Sequence, residues 1–248
     1  MSDDLTDRQV LTRLAWLFAL FAVISLAAGA SRMQPPGWQL RTFGDVLRLR
    51  EALSMFVFAP ALGLVFWLIG RTLSRGRTVV AADLLMVLAV YGVACGMGIH
   101  DPTNRMISAY SGSGALTPEV RRSLFYLDEV LGHWVFWAGF VLATWVLGLR
   151  QALAPLKERM QWPWRVGLGV VAAAFLWVMV TNLWDEYPQT RADLGVILLA
   201  ALGPLAAHVA FGRNAGVLRM PLHFVIYPTY FGSVAVTLIN WLIRYGRV

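Results

Sequence analysis

The sequence predicts an all-α polytopic membrane protein, a bundle of about seven transmembrane helices. Composition is the first reason, because 58% of the 248 residues are hydrophobic and only 14% are charged. A soluble domain carries about 25% charged residues. The second reason is that the apolar residues fall into seven runs, each close to the length of about 20 residues that crosses the hydrocarbon core of a bilayer.

The seven runs take up most of the chain and leave only short connections between them. We therefore expect residues 1–248 to form a single transmembrane domain. The first run follows acidic residues rather than a basic segment, which favours a retained helix over a signal peptide. The single cysteine, Cys95, lies inside the third run, so a disulfide framework and a thiolate metal cage are both excluded. The runs are 11–31, 52–72, 78–99, 127–149, 164–183, 192–212 and 221–243.

The charged residues indicate where the chain resides. The net charge is +7, and the basic residues lie in connections next to the runs, where they set topology and contact anionic lipid. Membrane lipid, and not nucleic acid, is therefore the expected partner. The short basic connection with Arg71, Arg75 and Arg77 favours a cytoplasmic N-terminus. Every basic residue except Lys157 is arginine, a bias that indicates a GC-rich bacterial genome and hence a bacterial inner membrane.

Acids and histidines gather at the ends of three runs. His100 directly follows the third run, the fourth begins with Asp128, Glu129 and His133, and the fifth is followed by Asp185 and Glu186. With seven spans, these three ends reach the same side of the membrane. Ionisable groups at such positions are costly, which makes them candidates for function.

The spacing of these residues suggests a metal site. Glu129 and His133 are four residues apart and so share one helix face. We predict that His100, Glu129, His133 and Glu186 bind a divalent metal ion. Mixed nitrogen and oxygen ligands suit zinc, iron, copper or manganese.

Asp128 and Asp185 are the predicted catalytic carboxylates. Asp128 would act as a general base or would orient a metal ligand. Two other interpretations stay open: a metal-free acid–base or substrate pocket, and a structural cluster, since Asp128 and Glu129 also suit the positive end of a helix.

The favoured function is a metal-dependent membrane enzyme, a hydrolase or an oxidoreductase. It would act on a lipid-like or small apolar substrate at the rim of spans three to five. The alternative is a non-enzymatic membrane component, either a transporter or a subunit that docks a partner. The sequence identifies neither the substrate nor the oligomeric state.

Three local patterns lead to further predictions. Thr117 and Pro118 predict a helix start inside a long loop over residues 101–126. His208 and His223 flank the connection between spans six and seven, and are predicted to be hydrogen-bonded histidines rather than ligands. Thr229, Ser233 and Thr237 form a polar seam on span seven that favours helix packing.

Overall fold

The structure is a computed structural model, and it describes residues 5–32, 41–42, 47–76, 78–110, 114–182 and 189–245. Within these residues the chain is almost entirely helical. Seven of its described helical segments are long and apolar enough to cross a membrane. The predicted all-α polytopic fold is therefore confirmed, and the protein is an integral membrane protein.

The spans are Asp7–Ala28, Glu51–Leu73, Val80–Tyr110, Pro118–Leu153, Trp162–Val180, Ala192–Gly212 and Pro221–Ile243. The α-helices are α1 (Asp7–Arg32), α2 (Leu49–Leu53), α3 (Ala59–Leu73), α4 (Val80–Tyr110), α5 (Pro118–Phe125), α6 (His133–Leu153), α7 (Trp162–Asn182), α8 (Gln189–Ala207) and α9 (Pro221–Tyr245). Helices α2, α5 and α8 continue as the π-helical segments Ser54–Phe58, Tyr126–Gly132 and His208–Gly212. The 3₁₀ turn Val217–Arg219 precedes α9. The two-residue strands β1 (Arg41–Thr42) and β2 (Leu47–Arg48) pair antiparallel.

The predicted loop over residues 101–126 is wrong for residues 101–110, which are helical. Helix α4 continues through Pro102 to Tyr110, and α5 begins at Pro118 and runs directly into the π-helical segment before α6. A proline usually ends a helix because it removes a backbone donor. Here the Thr103 hydroxyl donates to the carbonyls of Ile99 and His100, on the turn before the proline.

The predicted start of α5 is confirmed. The Thr117 side chain accepts a hydrogen bond from the backbone N–H of Val120 at 3.4 Å, and Pro118 occupies the first turn. This N-cap pairs one of the backbone donors that a helix start leaves without a partner.

The chain divides into two compact units, of which the first comprises Met1–Ala22, Leu68–Leu85 and Val141–Val248. In this unit α7 and α8 pack against α9. The Thr229 hydroxyl lies 3.2 Å from the Ala172 carbonyl of α7, and Ser233 is fully buried. At Thr229 and Ser233 the seam predicted on span seven therefore packs α9 against α7.

A buried arginine anchors the connection between α3 and α4 in the same unit. Arg150 of α6 donates to the Gly70 carbonyl at 3.1 Å, to Ser74 Oγ at 2.9 Å and to Asp83 Oδ1 at 2.7 Å. A second arginine, Arg71, lies 3.6 Å from the other oxygen of Asp83. A buried charge is tolerated only with such partners.

The second unit comprises Val23–Trp67 and Met86–Phe140. Within it, glycines allow α4 to approach α6 closely. A Cβ on Gly96 would lie 2.5 Å from the backbone nitrogen of Phe136, and one on Gly139 would lie 2.5 Å from the Ala89 carbonyl oxygen. Such contacts are typical of small residues at packed transmembrane helices. The close approach fixes the register between α4 and the segment that begins α6.

Candidate functional site

His100, Asp128 and His133 form one cluster in the second unit. His100 lies on α4, Asp128 on the π-helical segment Tyr126–Gly132, and His133 at the first position of α6. His100 Nδ1 lies 2.6 Å from Asp128 Oδ1, and the two imidazole centroids are 4.7 Å apart. Two of the predicted metal ligands and one predicted catalytic carboxylate therefore come together.

Asp128 lies behind the His100 imidazole. The Asp128 side chain is 3% exposed, whereas that of His100 is 28% exposed. The angle between them departs from that of a hydrogen bond, since neither atom has a hydrogen-bond partner. The short distance still places a carboxylate oxygen against Nδ1, an arrangement that favours a proton on that nitrogen.

His133 is oriented through the same residue. Its Nδ1 lies 3.1 Å from the backbone carbonyl oxygen of Asp128, and a carbonyl oxygen can only accept. Nδ1 is therefore the protonated nitrogen of the neutral ring. The backbone N–H of His133 donates to the Val130 carbonyl. The imidazole Nδ1–H is therefore the group that donates to the Asp128 carbonyl within the π-helical segment. Single π-helical turns of this kind occur often at functional sites.

The two imidazoles thus present the same nitrogen, Nδ1, to Asp128. Each has its Nδ1 against an oxygen of Asp128, one from the side chain and one from the backbone. In a neutral imidazole the other nitrogen, Nε2, then carries the lone pair. A lone pair at Nε2 can bind a metal ion or accept a proton.

An aromatic side chain borders the pair on α6. The Trp137 ring lies 5.6 Å from the His133 ring, and Trp134 lies 5.5 Å from Trp137. Trp134 is 62% exposed. The His133 ring therefore contacts an indole as well as the Asp128 carbonyl oxygen.

Glycines that the sequence analysis did not weigh determine this geometry. A Cβ on Gly132 would lie 3.2 Å from both the Cβ and the backbone nitrogen of His100. Gly92 and Gly96 also form a G-x-x-x-G pattern one turn before His100. That pattern was the available signal, because it is typical of closely packed transmembrane helices.

The other predicted site residues do not add to the described cluster. Glu129 is half-buried. Among the residues that the structure describes, no three or more His, Cys, Asp or Glu side chains group around one metal position. Asp185 and Glu186 lie outside the described residues. The metal ligands and the catalytic role of Asp185 therefore stay predictions.

The other histidine pair lies in the first unit and is hydrogen-bonded, as expected. His208 Nδ1 lies 3.0 Å from the Tyr227 hydroxyl, and His223 Nε2 lies 3.1 Å from the Pro204 carbonyl oxygen. His223 is fully buried. Tyr227, which was not among the predicted residues, lies one turn after His223 and links α9 to the end of α8.

Comparisons of this chain with protein-family models, with curated proteins and with solved structures found no match.

Proposed function

We propose that this protein is an integral membrane enzyme whose active centre is built on His100 and His133 and works with a divalent metal ion. The observation that supports it most is the shared orientation of the two imidazole rings. Both Nδ1 atoms face an oxygen of Asp128, and both Nε2 atoms are left with a lone pair. Histidines that bind metals usually have their other ring nitrogen against a carboxylate or a backbone carbonyl, to which it donates, and His133 makes such a bond to the Asp128 carbonyl.

Each residue of the proposed centre has a distinct role. His100 and His133 supply imidazole nitrogens, and Asp128 positions both rings, one through its carboxylate and one through its carbonyl. An orienting role suits Asp128 better than that of a general base, because its carboxylate is buried behind His100. Glu129, Asp185 and Glu186 are the proposed sources of oxygen ligands. A metal ion held there would polarise a substrate oxygen or activate water.

The proposed substrate is lipid-like or small and apolar. His133 lies near the middle of the span that runs from Pro118 to Leu153, with the Trp137 ring beside it. A substrate that enters from the bilayer would meet His133 across apolar surface. With the proposed cytoplasmic N-terminus in a bacterial inner membrane, the Pro118 end of this span faces the periplasm.

Metal analysis of the purified protein tests the proposal. We expect the wild type to retain close to one metal ion per chain and the His133→Ala variant to retain almost none. His208→Ala is the matched control, because it removes a histidine whose partner is Tyr227 and should keep the metal. Equal, negligible metal in all three proteins would refute the metal-dependent function.

A metal-free acid–base enzyme is the second candidate. The 2.6 Å separation between His100 Nδ1 and Asp128 Oδ1 favours it, because a carboxylate behind an imidazole stabilises the protonated ring after proton transfer. In this case His100 Nε2 would take a proton from the substrate. Activity that persists after metal removal and is lost in His100→Ala would select this candidate.

A further inference from the structure

A surface groove lies at the start of the span that carries Asp128 and His133. It has a volume of about 440 Å³ and is lined by Leu116, Pro118, Arg121, Arg122 and Phe125. Its lining combines apolar side chains with two cations. A site of this composition suits a molecule with an anionic end and an apolar body.

The two arginines of the groove are available for a ligand. Both are exposed, and neither side chain hydrogen-bonds or ion-pairs with any residue that the structure describes. The arginines of the first unit differ, since Arg71, Arg75 and Arg150 each contact an aspartate. Guanidinium groups bind phosphate with two parallel hydrogen bonds, so phosphate is the favoured anion.

The aromatic residues next to the groove indicate its depth. Phe125 is 57% exposed and Tyr126 is 55% exposed. Exposed aromatic side chains at the end of a span are typical of the head-group region. Arg121 and Arg122 lie one helical turn towards the end of the span from these rings, where the phosphates of a lipid leaflet lie.

One continuous helical span connects the groove to the histidine pair. Arg121 and Phe125 are four residues apart on α5 and so share a helix face, and the π-helical segment Tyr126–Gly132 joins α5 directly to His133. Arg121 and His133 are separated by at most about 18 Å along the axis, at about 1.5 Å per residue. That is about the depth of one leaflet of the hydrocarbon core.

We propose that Arg121 and Arg122 bind the phosphate of an anionic membrane lipid whose apolar chain extends along Phe125 towards His133. This inference rests on the proposed function, because it makes that lipid the substrate of the centre at His100 and His133. It narrows the substrate from any lipid-like molecule to a phosphate-bearing lipid with a chain long enough to reach the imidazoles.

Lipid binding tests the inference without any measurement of turnover. The purified full chain, in a neutral detergent, is titrated with phosphatidic acid and with phosphatidylcholine of the same acyl chains, and bound lipid is counted by native mass spectrometry. We expect at least a tenfold preference for phosphatidic acid. Arg121→Gln with Arg122→Gln should reduce it about tenfold or more, because hydrogen bonds to charged groups contribute strongly.

The control removes two exposed arginines from α1 instead, Arg8→Gln with Arg13→Gln, and should keep the preference. The inference is overturned if the groove variant binds phosphatidic acid as the wild type does, if the wild type does not distinguish the two lipids, or if inorganic phosphate competes as well as the intact lipid. The last result would indicate a site for free phosphate.

The metal-centre proposal and the lipid-binding proposal can be refuted independently of each other. His133→Ala should lose metal but keep the preference for phosphatidic acid, whereas the groove variant should lose the preference but keep metal. If the wild type binds metal but shows no lipid preference, the lipid-binding proposal for the groove is overturned and the proposed metal centre stands. Lipid preference without metal would refute the metal centre and leave the groove as a lipid-binding site.

Discussion

Replacing Gly96 with alanine changes a close contact between α4 and α6. The added Cβ would lie 2.5 Å from the backbone nitrogen of Phe136 and 2.7 Å from its Cα. Those atoms cannot rotate away as the end of a side chain can, so the two helices must separate. Because His100 lies one turn after Gly96, its contact with Asp128 should loosen as well.

Gly98 supplies a matched control on the same helix. A Cβ there would meet no described atom within 4 Å. Both substitutions gain the same helix propensity, about 0.5–1 kcal/mol for alanine over glycine. The difference between the variants therefore isolates the overpacking at Gly96, which should cost about 1–3 kcal/mol.

Thermal unfolding in detergent, followed by tryptophan fluorescence, measures this difference. For a chain of this length about 1 kcal/mol shifts the Tm by roughly 2–4 °C, so Gly96→Ala should unfold about 2–12 °C below Gly98→Ala. Gly98→Ala should match the wild type or exceed it. Equal Tm values for the two variants would refute the close packing of α4 on α6.

Two further substitutions test the contacts of single buried side chains. Asp128→Asn preserves shape but removes the charge behind His100, and should lower metal affinity about 10–100-fold in a chelator competition; unchanged affinity would argue against the positioning role. Arg150→Gln leaves Asp83 without its closest cation and should destabilise the fold by up to about 3 kcal/mol. Chemical unfolding would measure this loss, and a loss no larger than that of the exposed Arg13→Gln would contradict it.

The sequence predicted the elements whose signals are local. Runs of about 20 apolar residues identify spans because lipid cannot hydrogen-bond the backbone, so the whole run must be helical. Thr117 and Pro118 predicted the start of α5 because capping depends on a few adjacent residues. In both cases the physical cause lies within one segment of the chain.

Predictions that needed contacts between helices were less complete. His100, Asp128 and His133 could be assigned to the same side because alternate span ends meet. The placement of Asp128 behind His100 could not be predicted, because it depends on the space at Gly96 and Gly132. The extension of α4 past Pro102 was missed because a proline is read from the sequence as a helix end, whereas α4 continues through it to Tyr110.

X-ray absorption at the edge of the bound metal tests the central claim most directly, because it counts the imidazoles. The wild type should show scattering from two imidazole rings, with nitrogen at about 2.0–2.1 Å if the metal is zinc. His100→Ala and His133→Ala should each show one ring or no bound metal. A metal without imidazole scattering, or an unchanged spectrum in both variants, would contradict the proposal that His100 and His133 bind the metal ion.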